Sequence, residues 1–337
     1  MENTNWKGKH GPLLIAEIGG NHEGNFEYAL ELTKLAIEAD VDFIKFQLYS
    51  GDTLVSKVES PTRNKHFKKF ELSKENYLQL AGLCESHGVK FMASVWDPEY
   101  ISWIDTHNPI YKIGSGDLTA YPVLRQFAKI GKPIILSTGL SSLEDVAGAV
   151  NCIQTENPLY KDPNYLSILQ CTSMYPIPYS DANLSVMNSL SMAFGLPVGY
   201  SDHTEGKKAL ATAVAMGAQI LEFHFTDSRE NKEFRDHKVS LTRDEVHELI
   251  AEIKDINTLK GNPIKQPLEV EGDHVVTFRR AVYPSKDLKK GHVLTEEDLT
   301  VLRPNHGIDA RQFDDVVGKR LKEDVIAHQK LTWQILG

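Results

Sequence analysis

The sequence predicts an α/β protein, a (β/α)₈ or TIM barrel followed by a small C-terminal domain of a different kind. Eight short apolar runs alternate with polar turns and amphipathic helical patterns, as parallel strands joined by helical crossovers do. Eight such units in about 250 residues match a (β/α)₈ barrel, whereas an open doubly wound sheet, the alternative, usually has fewer strands. The runs are Leu13–Glu17, Phe43–Phe46, Lys90–Ala93, Tyr111–Ile113, Pro133–Ser137, Leu166–Gln170, Pro197–Tyr200 and Gln219–His224.

A break in the pattern separates the barrel from the tail. Lys260–Pro267 is rich in turn formers and follows the last long helical pattern. We therefore expect the barrel over 1–262, a linker over 263–276 and a second domain over 277–337. The tail shows short strands, glycine-containing turns and one-turn helices. A domain of about 60 residues is marginal alone, so we expect it to pack against the barrel or a partner.

Composition narrows the function classes. The formal net charge of −9 disfavours binding to nucleic acid or to anionic membranes, because the far field repels phosphates. Cys84, Cys152 and Cys171 form no CxxC pair, which is typical of reduced thiols in the cytoplasm. No apolar stretch approaches the length of a signal peptide core or of a membrane span. We expect a soluble, cytoplasmic protein.

Polar residues recur where the predicted strands end. In a (β/α)₈ barrel the chemistry lies at the carboxyl ends of the strands, so this clustering predicts one cavity that the polar residues encircle. In chain order they are Glu17, Asn21, His22, Lys45, Gln47, Ser94, Lys112, Ser115, Ser137, Ser173, Tyr175, Ser201, Asp202, His203 and His224.

Two lysines suggest an anionic ligand. Lys45 and Lys112 lie in otherwise apolar strands, where an unpaired ammonium group is costly to bury. Serine hydroxyls and glycine backbone amides surround them in the sequence, and both suit oxyanions. The set fits a phosphate and a carboxylate together. Alternatively, acidic neighbours such as Asp117 neutralise the two lysines.

Two histidines suggest a metal site. His203 and His224 follow neighbouring strands, about 4.8 Å apart in a sheet, so both imidazoles can reach one ion. A divalent ion held this way can polarise a carbonyl group as a Lewis acid. Mn²⁺ is the first candidate, with Mg²⁺, Co²⁺ and Zn²⁺ as alternatives.

Seven ordered stretches resemble the sialic acid (N-acetylneuraminate) synthase family. They are IAEIGGNHEG, DFIKFQ, YKIGSGDLTAYPVL, KPIILSTGL, LQCTSMYPIP, VGYSDHTEG and HFTDS with DHKVSL. In the tail, KKGHVLTEEDLTVLRP and VGKRLKED resemble the antifreeze-like (SAF, β-clip) domain that ends this family. The resemblance implies a transferase that forms a C–C bond between phosphoenolpyruvate and the aldehyde of N-acetylmannosamine or a related aminosugar. The products would be a nonulosonic acid and phosphate.

The resemblance also implies roles for individual residues. His203 and His224 match the metal ligands, and Glu17 matches an acidic residue near the reacting carbons. We expect Glu17 to transfer a proton, or alternatively to orient Asn21 or a lysine. Positions matching the sugar site are Gln47, Tyr175 and Asp236, and positions matching the phosphoenolpyruvate site are Lys45, Ser94, Lys112, Ser115, Ser137, Ser173 and Ser201.

The tail carries one further matching residue. Arg303 matches an arginine of the tail domain that enters the active site of a neighbouring subunit. The resemblance thus implies a domain-swapped homodimer.

Two positions depart from the pattern of the family. Phe223 stands where a basic residue commonly precedes the histidine, and ASVWD stands where Ser/Thr-Pro-Phe is common. We expect both positions at or beside the cavity, where they bear on which sugar is used. Asn64, in the loop after the second strand, is a further candidate contact to the sugar.

Three alternative functions stay open. Synthases of legionaminic or pseudaminic acid use diacetamido-trideoxy hexoses and share the same residues. An aldolase of the 3-deoxy-octulosonate-phosphate type needs a further basic pocket for a phosphosugar, and the tail is unexpected there. A non-catalytic carbohydrate- or ice-binding protein has no need for Glu17, both lysines and both histidines together.

Overall fold

The computed structural model describes residues 4–337 and confirms the closed barrel. Eight parallel strands follow one another in order around it, and the last pairs with the first. A two-residue strand, Lys7–Gly8, pairs antiparallel with β1. The barrel strands are β1 (Gly11–Glu17), β2 (Phe43–Leu48), β3 (Lys90–Val95), β4 (Tyr111–Ile113), β5 (Ile134–Ser137), β6 (Leu166–Cys171), β7 (Val198–Asp202) and β8 (Ile220–His224).

A helix follows every strand. The third helix is a single turn flanked by 3-10 turns, and the other seven are longer. They are Phe26–Glu38, Lys74–Ser86, Ile101–Ile104, Tyr121–Ile130, Leu143–Glu156, Val186–Phe194, Lys208–Ala215 and Arg243–Lys260. Additional short helices lie in the loops after β2 (Gly51–Leu54 and Pro61–Lys69) and after β8 (Asp236–Val239).

Capping side chains fix several helix starts. Asn25 accepts a hydrogen bond from the backbone N–H of Tyr28, and Ser142 accepts one from Asp145. At the last helix, Glu245 accepts from the backbone N–H of Thr242. These bonds satisfy N–H groups that the first turn of a helix leaves without partners. The loops that carry the site therefore end at defined residues.

Side chains alternate between two layers along each strand. Outward residues such as Leu14, Ala16 and Leu221 belong to the core between strands and helices. Inward residues near the amino ends form a second, apolar cluster: Trp6, Leu13, Ile15, Phe43, Met92, Ile110, Ile135, Leu169 and Ile220. Because strand side chains alternate with a period of two, the next inward positions toward the carboxyl ends are Glu17, Lys45 and Glu222. The barrel interior thus changes from apolar to charged along its axis.

Strand pairing places these side chains at the same height along the barrel axis. Glu17 lies opposite Lys45 on one side and opposite His224 on the other. Ser201 lies opposite both Glu222 and Cys171. The register of the barrel therefore places the acidic, basic and histidine side chains side by side.

The tail forms a second compact unit, Asn262–Gly337. Strands β9 (Ala281–Pro284) and β10 (Leu299–Leu302) pair antiparallel, and short helices span His274–Thr277 and Phe313–Val316. The unit has an apolar core of its own: Val282, Leu288, Leu294, Leu299, Ile308, Val316, Leu321, Val325, Leu331 and Leu336.

Two other expectations can be compared with the structure. Among residues 4–337, no helix combines the length and the apolar composition needed to cross a membrane. Cys84, Cys152 and Cys171 are all free thiols, as predicted.

We predict that Gly199→Ala destabilises the barrel. A Cβ at this position in β7 would lie 2.3 Å from the carbonyl oxygen of Ile220 and 2.7 Å from Leu169 Cδ2. Relieving such overlap requires the strands to separate, so the free energy of unfolding should fall by about 1–3 kcal/mol. Denaturant unfolding followed by circular dichroism measures this change.

Gly82→Ala is the matched control. Gly82 lies on the helix Lys74–Ser86, and nothing lies within 4 Å of a Cβ built there. Alanine in an exposed helix is favoured over glycine by up to about 1 kcal/mol, so this variant should be no less stable than the wild type. Equal stability of the two variants would contradict the strand contact at Gly199.

Candidate active site

Two lysines and two glutamates form a buried ion cluster inside the barrel. Lys45 Nζ lies 2.6 Å from Glu17 Oε2 and 3.7 Å from Glu222 Oε1. Lys112 Nζ lies 3.6 Å from Glu222 Oε2. All four side chains are at least nine-tenths buried. Glu222 therefore bridges the two ammonium groups, and Glu17 pairs with one of them.

Burial and charge separate the pKa values of the two carboxyl groups. Burial raises the pKa of Glu17, and the negative charge of Glu222 acts in the same direction, so together they outweigh the lowering effects of Lys45 and Gln47. Burial acts upward at Glu222 too, but Lys112 and Lys45 together outweigh it and lower the pKa. Two carboxyl groups whose pKa values differ in this way can take different roles. Glu222 stays ionised, and Glu17 is the group more easily protonated.

The two lysines also differ. Burial lowers the pKa of Lys112, and Glu222 offsets only part of that effect. Burial acts in the same direction on Lys45, but Glu17 and Glu222 outweigh it, so the pKa of Lys45 is raised. Lys112 therefore has the less fully compensated charge, and an additional anion would stabilise it most.

Serine hydroxyls surround the ion cluster. Lys112 Nζ donates to Ser137 Oγ at 2.7 Å, and Lys45 Nζ lies 3.4 Å from Ser94 Oγ. Ser201 Oγ donates to Glu222 Oε1 at 3.3 Å. Two further predicted serines lie on the adjoining loops: Ser115 Oγ accepts from the Gly139 backbone at 2.9 Å, and Ser173 Oγ lies 4.0 Å from Cys171 Sγ.

Glu222 is the functional residue that the sequence interpretation missed. It lies in β8 two residues before His224, so both side chains point into the barrel. The alternation of side chains along β8 could have identified Glu222 from the sequence, because it lies two residues before a predicted site residue. The alternative that acidic neighbours neutralise the lysines is correct in kind, but Asp117 is not the neighbour that pairs with them. Asp117 forms no ion pair among the described residues, and Glu17 and Glu222 occupy that role.

The two predicted metal-binding histidines lie together beside this cluster. Their ring centroids are 5.4 Å apart. His203 Nδ1 lies 2.7 Å from the carbonyl oxygen of Thr172, which can only accept, so Nδ1 carries the proton and Nε2 has the lone pair. Such a bond to the second nitrogen is the usual way in which proteins orient a metal-binding histidine.

His224 has a buried nitrogen that nothing in the described chain satisfies. Its Nδ1 has no hydrogen-bond partner, and the nearest carboxylate oxygen, Asp236 Oδ2, is 3.9 Å away. Burial, with the charges of His203 and Lys45, lowers the pKa of His224 well below its usual value. A neutral imidazole with an unpartnered buried nitrogen fits a metal ligand.

The protein would supply only these two ligands at the candidate metal site. Within residues 4–337 no group of three His, Cys, Asp or Glu side chains is arranged to hold an ion. The other coordination positions of a divalent ion would have to come from water or substrate oxygens. Open positions of this kind are typical of metal ions that activate a substrate rather than stabilise a fold.

The three predicted sugar-site residues border the histidines and Glu17. Gln47 Nε2 donates to Glu17 Oε1 at 2.6 Å. The ring of Tyr175 lies 3.9 Å from that of His203 and 5.5 Å from that of His224, measured between centroids. Burial raises the pKa of Asp236, against the lowering effect of Arg235. The three residues therefore lie beside the histidine pair or Glu17.

Asn21 and Asp202 serve the scaffold rather than the cavity, which corrects their predicted position. Asn21 Nδ2 donates to the carbonyl of Phe225 and to Ser240 Oγ, so Glu17 does not orient Asn21. Asp202 accepts from Thr204 and from the hydroxyl of Tyr200.

One of the two family departures is placed differently from the prediction. Phe223 is fully buried in the outer core, between strand and helices, so its expected position beside the cavity is wrong. The period-two alternation explains the error, since Phe223 lies between two inward residues. Trp96, of the ASVWD stretch, stacks on Tyr49 at 5.3 Å.

Two remaining candidates lie outside the ion cluster and the histidine pair. Asn64 is buried, and its amide donates to the carbonyls of Gly51 and Val55, both at 2.8 Å, so it holds the loop after β2. Arg303 is exposed in the tail unit, with its guanidinium 5.6 Å from the centre of the Phe278 ring. Its predicted entry into a neighbouring site stays a prediction.

We predict an acid-sensitive contribution to stability from His22, in the loop after β1. Burial lowers its pKa from 6.5 to about 4, and its Nδ1 accepts a hydrogen bond from the backbone of Gly24. The folded protein therefore binds fewer protons at His22 than the unfolded chain between these two values. Stability from this group is present above pH 6.5 and falls by roughly 3 kcal/mol as the pH is lowered through 4.

His22→Asn tests this linkage, because the asparagine oxygen can accept the same hydrogen bond from Gly24. Its free energy of unfolding, measured from pH 7 to pH 4, should fall less steeply than that of the wild type. His87→Gln, which removes an exposed histidine, is the control. Parallel pH profiles for His22→Asn and the wild type would contradict the prediction.

Comparison with known proteins agrees with the geometry of the site. The NeuB family matches residues 32–265, and the SAF domain matches residues 279–336. The chain is 37% identical to the N,N'-diacetyllegionaminic acid synthase of Legionella pneumophila, over 96% of this chain and 94% of that protein. It is 31% identical to human N-acetylneuraminate-9-phosphate synthase, over 93% of this chain and 89% of that protein.

A solved structure supports the same assignment. The N-acetylneuraminic acid synthetase of Leptospira borgpetersenii aligns with a TM-score of 0.72 and 29% sequence identity, covering 78% of this chain and 90% of that one. The family match spans more than half of the chain, and the relatives cover nearly all of it. The chain therefore belongs to the NeuB family, as an enzyme of the N-acetylneuraminate synthase type with a C-terminal SAF domain.

Proposed function

We propose that the enzyme condenses phosphoenolpyruvate with the open-chain aldehyde of N-acetylmannosamine, or of a related N-acylated aminosugar, to give a nonulosonic acid and phosphate. One observation carries the proposal. A buried pair of lysines with serine hydroxyls lies beside a pair of histidines whose nitrogens suit a metal ion. To join phosphoenolpyruvate to an aldehyde, an enzyme needs a site for the anion next to a site that activates the aldehyde.

The lysine side of the site would hold phosphoenolpyruvate. Lys45 and Lys112 would neutralise its phosphate and carboxylate, with Ser94 and Ser137 completing the shell. In the reaction, C3 of phosphoenolpyruvate forms a bond to the aldehyde carbon, water adds at C2, and the C2–O bond to phosphate breaks. Because the lysines face the anion throughout, their loss should weaken binding as well as turnover.

Glu17 is suited to proton transfer in this sequence. Its raised pKa follows from burial, and Gln47 and Lys45 hold its two oxygens in place. A carboxyl group with an upward-shifted pKa can accept a proton from the attacking water or donate one to the new hydroxyl group. Its observed contact with Lys45 also supports a second role, the orientation of that lysine.

His203 and His224 would hold a divalent ion, for which Mn²⁺ is our first candidate and Mg²⁺ or Co²⁺ are alternatives. When bound, the ion would supply Lewis-acid polarisation of the aldehyde oxygen. Each histidine would present one ring nitrogen to the ion, and that nitrogen must be unprotonated to bind it. Burial acts to lower the pKa of His203, but Cys171 and the Thr172 carbonyl outweigh it and raise the pKa. Metal affinity should therefore increase with pH, since binding must displace a proton.

A diacetamido-trideoxy hexose is the second candidate acceptor. The observation that favours it is the 37% identity to a relative named as an N,N'-diacetyllegionaminic acid synthase, against 31% for the human N-acetylneuraminate-9-phosphate synthase. The two acceptors share the aldehyde and an N-acyl group, so the same cluster serves both.

We further propose a domain-swapped homodimer in which Arg303 of one subunit contacts the sugar bound to the other. The support is the exposed guanidinium of Arg303 in the tail unit, which matches the SAF domain.

Three free thiols suit a reducing compartment, and we propose that the enzyme works in the cytoplasm.

Phosphate release from phosphoenolpyruvate tests the proposed function. The assay compares N-acetylmannosamine, a diacetamido-trideoxy hexose and a phosphosugar, each with and without Mn²⁺, and identifies the product by mass. We expect metal-dependent release with one of the neutral aminosugars. Release only with the phosphosugar would indicate the octulosonate-phosphate type of aldolase, and no release from folded, metal-loaded protein would indicate a binding protein.

We predict that His203→Ala and His224→Ala each lower metal-dependent turnover on the order of a hundredfold or more, because the ion loses half of its protein ligands. Equilibrium dialysis should show that each variant binds Mn²⁺ more weakly. Thermal unfolding of the metal-free variants should stay cooperative, and His87→Ala is the control. Unchanged Mn²⁺ binding in both variants would contradict the ligand assignment.

We predict that Arg303→Ala raises the KM for the sugar more than the KM for phosphoenolpyruvate. If the arginine acts across subunits, mixed dimers of Arg303→Ala with inactive Glu17→Gln contain one site free of both changes. Coexpression should then give activity with the wild-type KM for the sugar, which neither variant shows alone. Arg279→Ala, in the same unit, is the control. A failure to complement, together with an unchanged sugar KM, would contradict the assignment.

A further inference from the structure

Arg235 lies on the outer side of the sugar site, in the segment after β8. Its guanidinium carbon lies 4.7 Å from the centre of the Tyr175 ring. Its Nε donates to Asp236 Oδ1 at 3.2 Å. Tyr175 and Asp236 are two of the three side chains that the proposed function assigns to the sugar. Arg235 therefore touches the sugar site without belonging to the ion cluster or to the histidine pair.

The residues on both sides of Arg235 are fixed. The ring of Phe234 packs against Phe70 with a centroid distance of 4.8 Å. On the other side, Ser240 Oγ donates to the carbonyl of Asp236 at 2.7 Å and accepts from Asn21 at 2.8 Å. The aromatic contact and the hydrogen bonds hold the backbone on which Arg235 lies. Two-thirds of its side chain is exposed, and its contacts with Tyr175 and Asp236 orient the guanidinium.

Part of the hydrogen-bonding capacity of Arg235 is unused. Nε binds Asp236, whereas the terminal N–H groups have no hydrogen-bond partner among residues 4–337. Free donors beside Tyr175 and Asp236 therefore indicate a ligand contact.

The charge of this contact favours a neutral ligand. Asp236 compensates Arg235, so the pair offers N–H donors without net charge. The chain as a whole carries a formal charge of −9, which disfavours a further anion at an exposed position. A planar guanidinium presents its donors as a fork, which suits an acyl carbonyl or two hydroxyl oxygens.

We propose that Arg235 is a specificity-determining residue whose terminal N–H groups bind a carbonyl or hydroxyl oxygen of a neutral N-acylated aminosugar. The inference rests on the proposed function, since it assumes that Tyr175 and Asp236 face the sugar. Arg235 would join Tyr175 and Asp236 on the same side of the sugar site. Its role would be to recognise the acceptor sugar rather than phosphoenolpyruvate.

Direct binding tests this role without turnover. The full-length, Mn²⁺-loaded enzyme is titrated in a calorimeter with the reduced, unreactive alcohols of N-acetylmannosamine and of a diacetamido-trideoxy hexose, and separately with phosphoenolpyruvate. Arg235→Ala should weaken binding of the preferred sugar alcohol about tenfold, as expected for the loss of a charge-assisted hydrogen bond. Binding of phosphoenolpyruvate should stay within about twofold.

Two further variants separate the contact from a general charge effect. Arg235→Lys keeps the positive charge but loses the fork, so its affinity for the sugar alcohol should be intermediate. Lys238→Ala removes an equally exposed cation of the same segment, which pairs with Glu205 at 3.3 Å, and should bind both ligands as the wild type does.

The outcomes distinguish this inference from the proposed function. Unchanged sugar-alcohol binding in Arg235→Ala, equal losses for both ligands, or no binding of either alcohol to the wild type would overturn the role of Arg235. Selective weakening supports it. If the wild type binds the alcohol and Arg235→Ala weakens it, but no phosphate is released with any sugar, the contact stands and the proposed reaction fails.

Discussion

The shared carboxylate of Glu222 is the interaction on which the rest of the site depends. Its two oxygens lie 3.7 Å from Lys45 and 3.6 Å from Lys112, inside a barrel whose interior is apolar toward the amino ends of the strands. Leaving a buried charge without its partner typically costs about 3–5 kcal/mol, so two lysines at this depth require compensation. Both contacts are longer than the 2.6 Å pair of Lys45 with Glu17. The lysines are thus stabilised in the fold while serine hydroxyls keep their surroundings suited to an oxyanion.

The barrel positions two kinds of chemistry side by side. Strands β2 to β5 contribute Lys45, Ser94, Lys112 and Ser137, and the segments from β6 to the loop after β8 contribute Tyr175, His203, His224 and Asp236. Glu17 lies in β1, opposite both Lys45 and His224, and so borders the two halves. A group that transfers protons between an anion and an electrophile needs this central place. In the proposed reaction each half therefore has its own role, and Glu17 lies at their boundary.

Sequence periodicity predicted the scaffold well and the loops poorly. Each of the eight apolar runs became a strand with ends within about two residues of those predicted. Polar residues at the strand ends marked the site, but considering only the ends missed Glu222 and misplaced Phe223, whose inward and outward positions follow from alternation along β8. Pairings such as Lys112 with Glu222, or Arg235 with Tyr175, join residues far apart in the chain, and no local pattern encodes them.

In the proposed reaction, the lysine cluster holds phosphoenolpyruvate for condensation with an aldehyde rather than for simple removal of phosphate. The decisive experiment uses phosphoenolpyruvate labelled with ¹⁸O at the bridging oxygen, incubated with Mn²⁺ and the preferred aminosugar. Condensation with cleavage of the C2–O bond should place the label in the released phosphate and leave the sugar acid unlabelled. Unlabelled phosphate, with the label left in pyruvate, would show hydrolysis at phosphorus and contradict it.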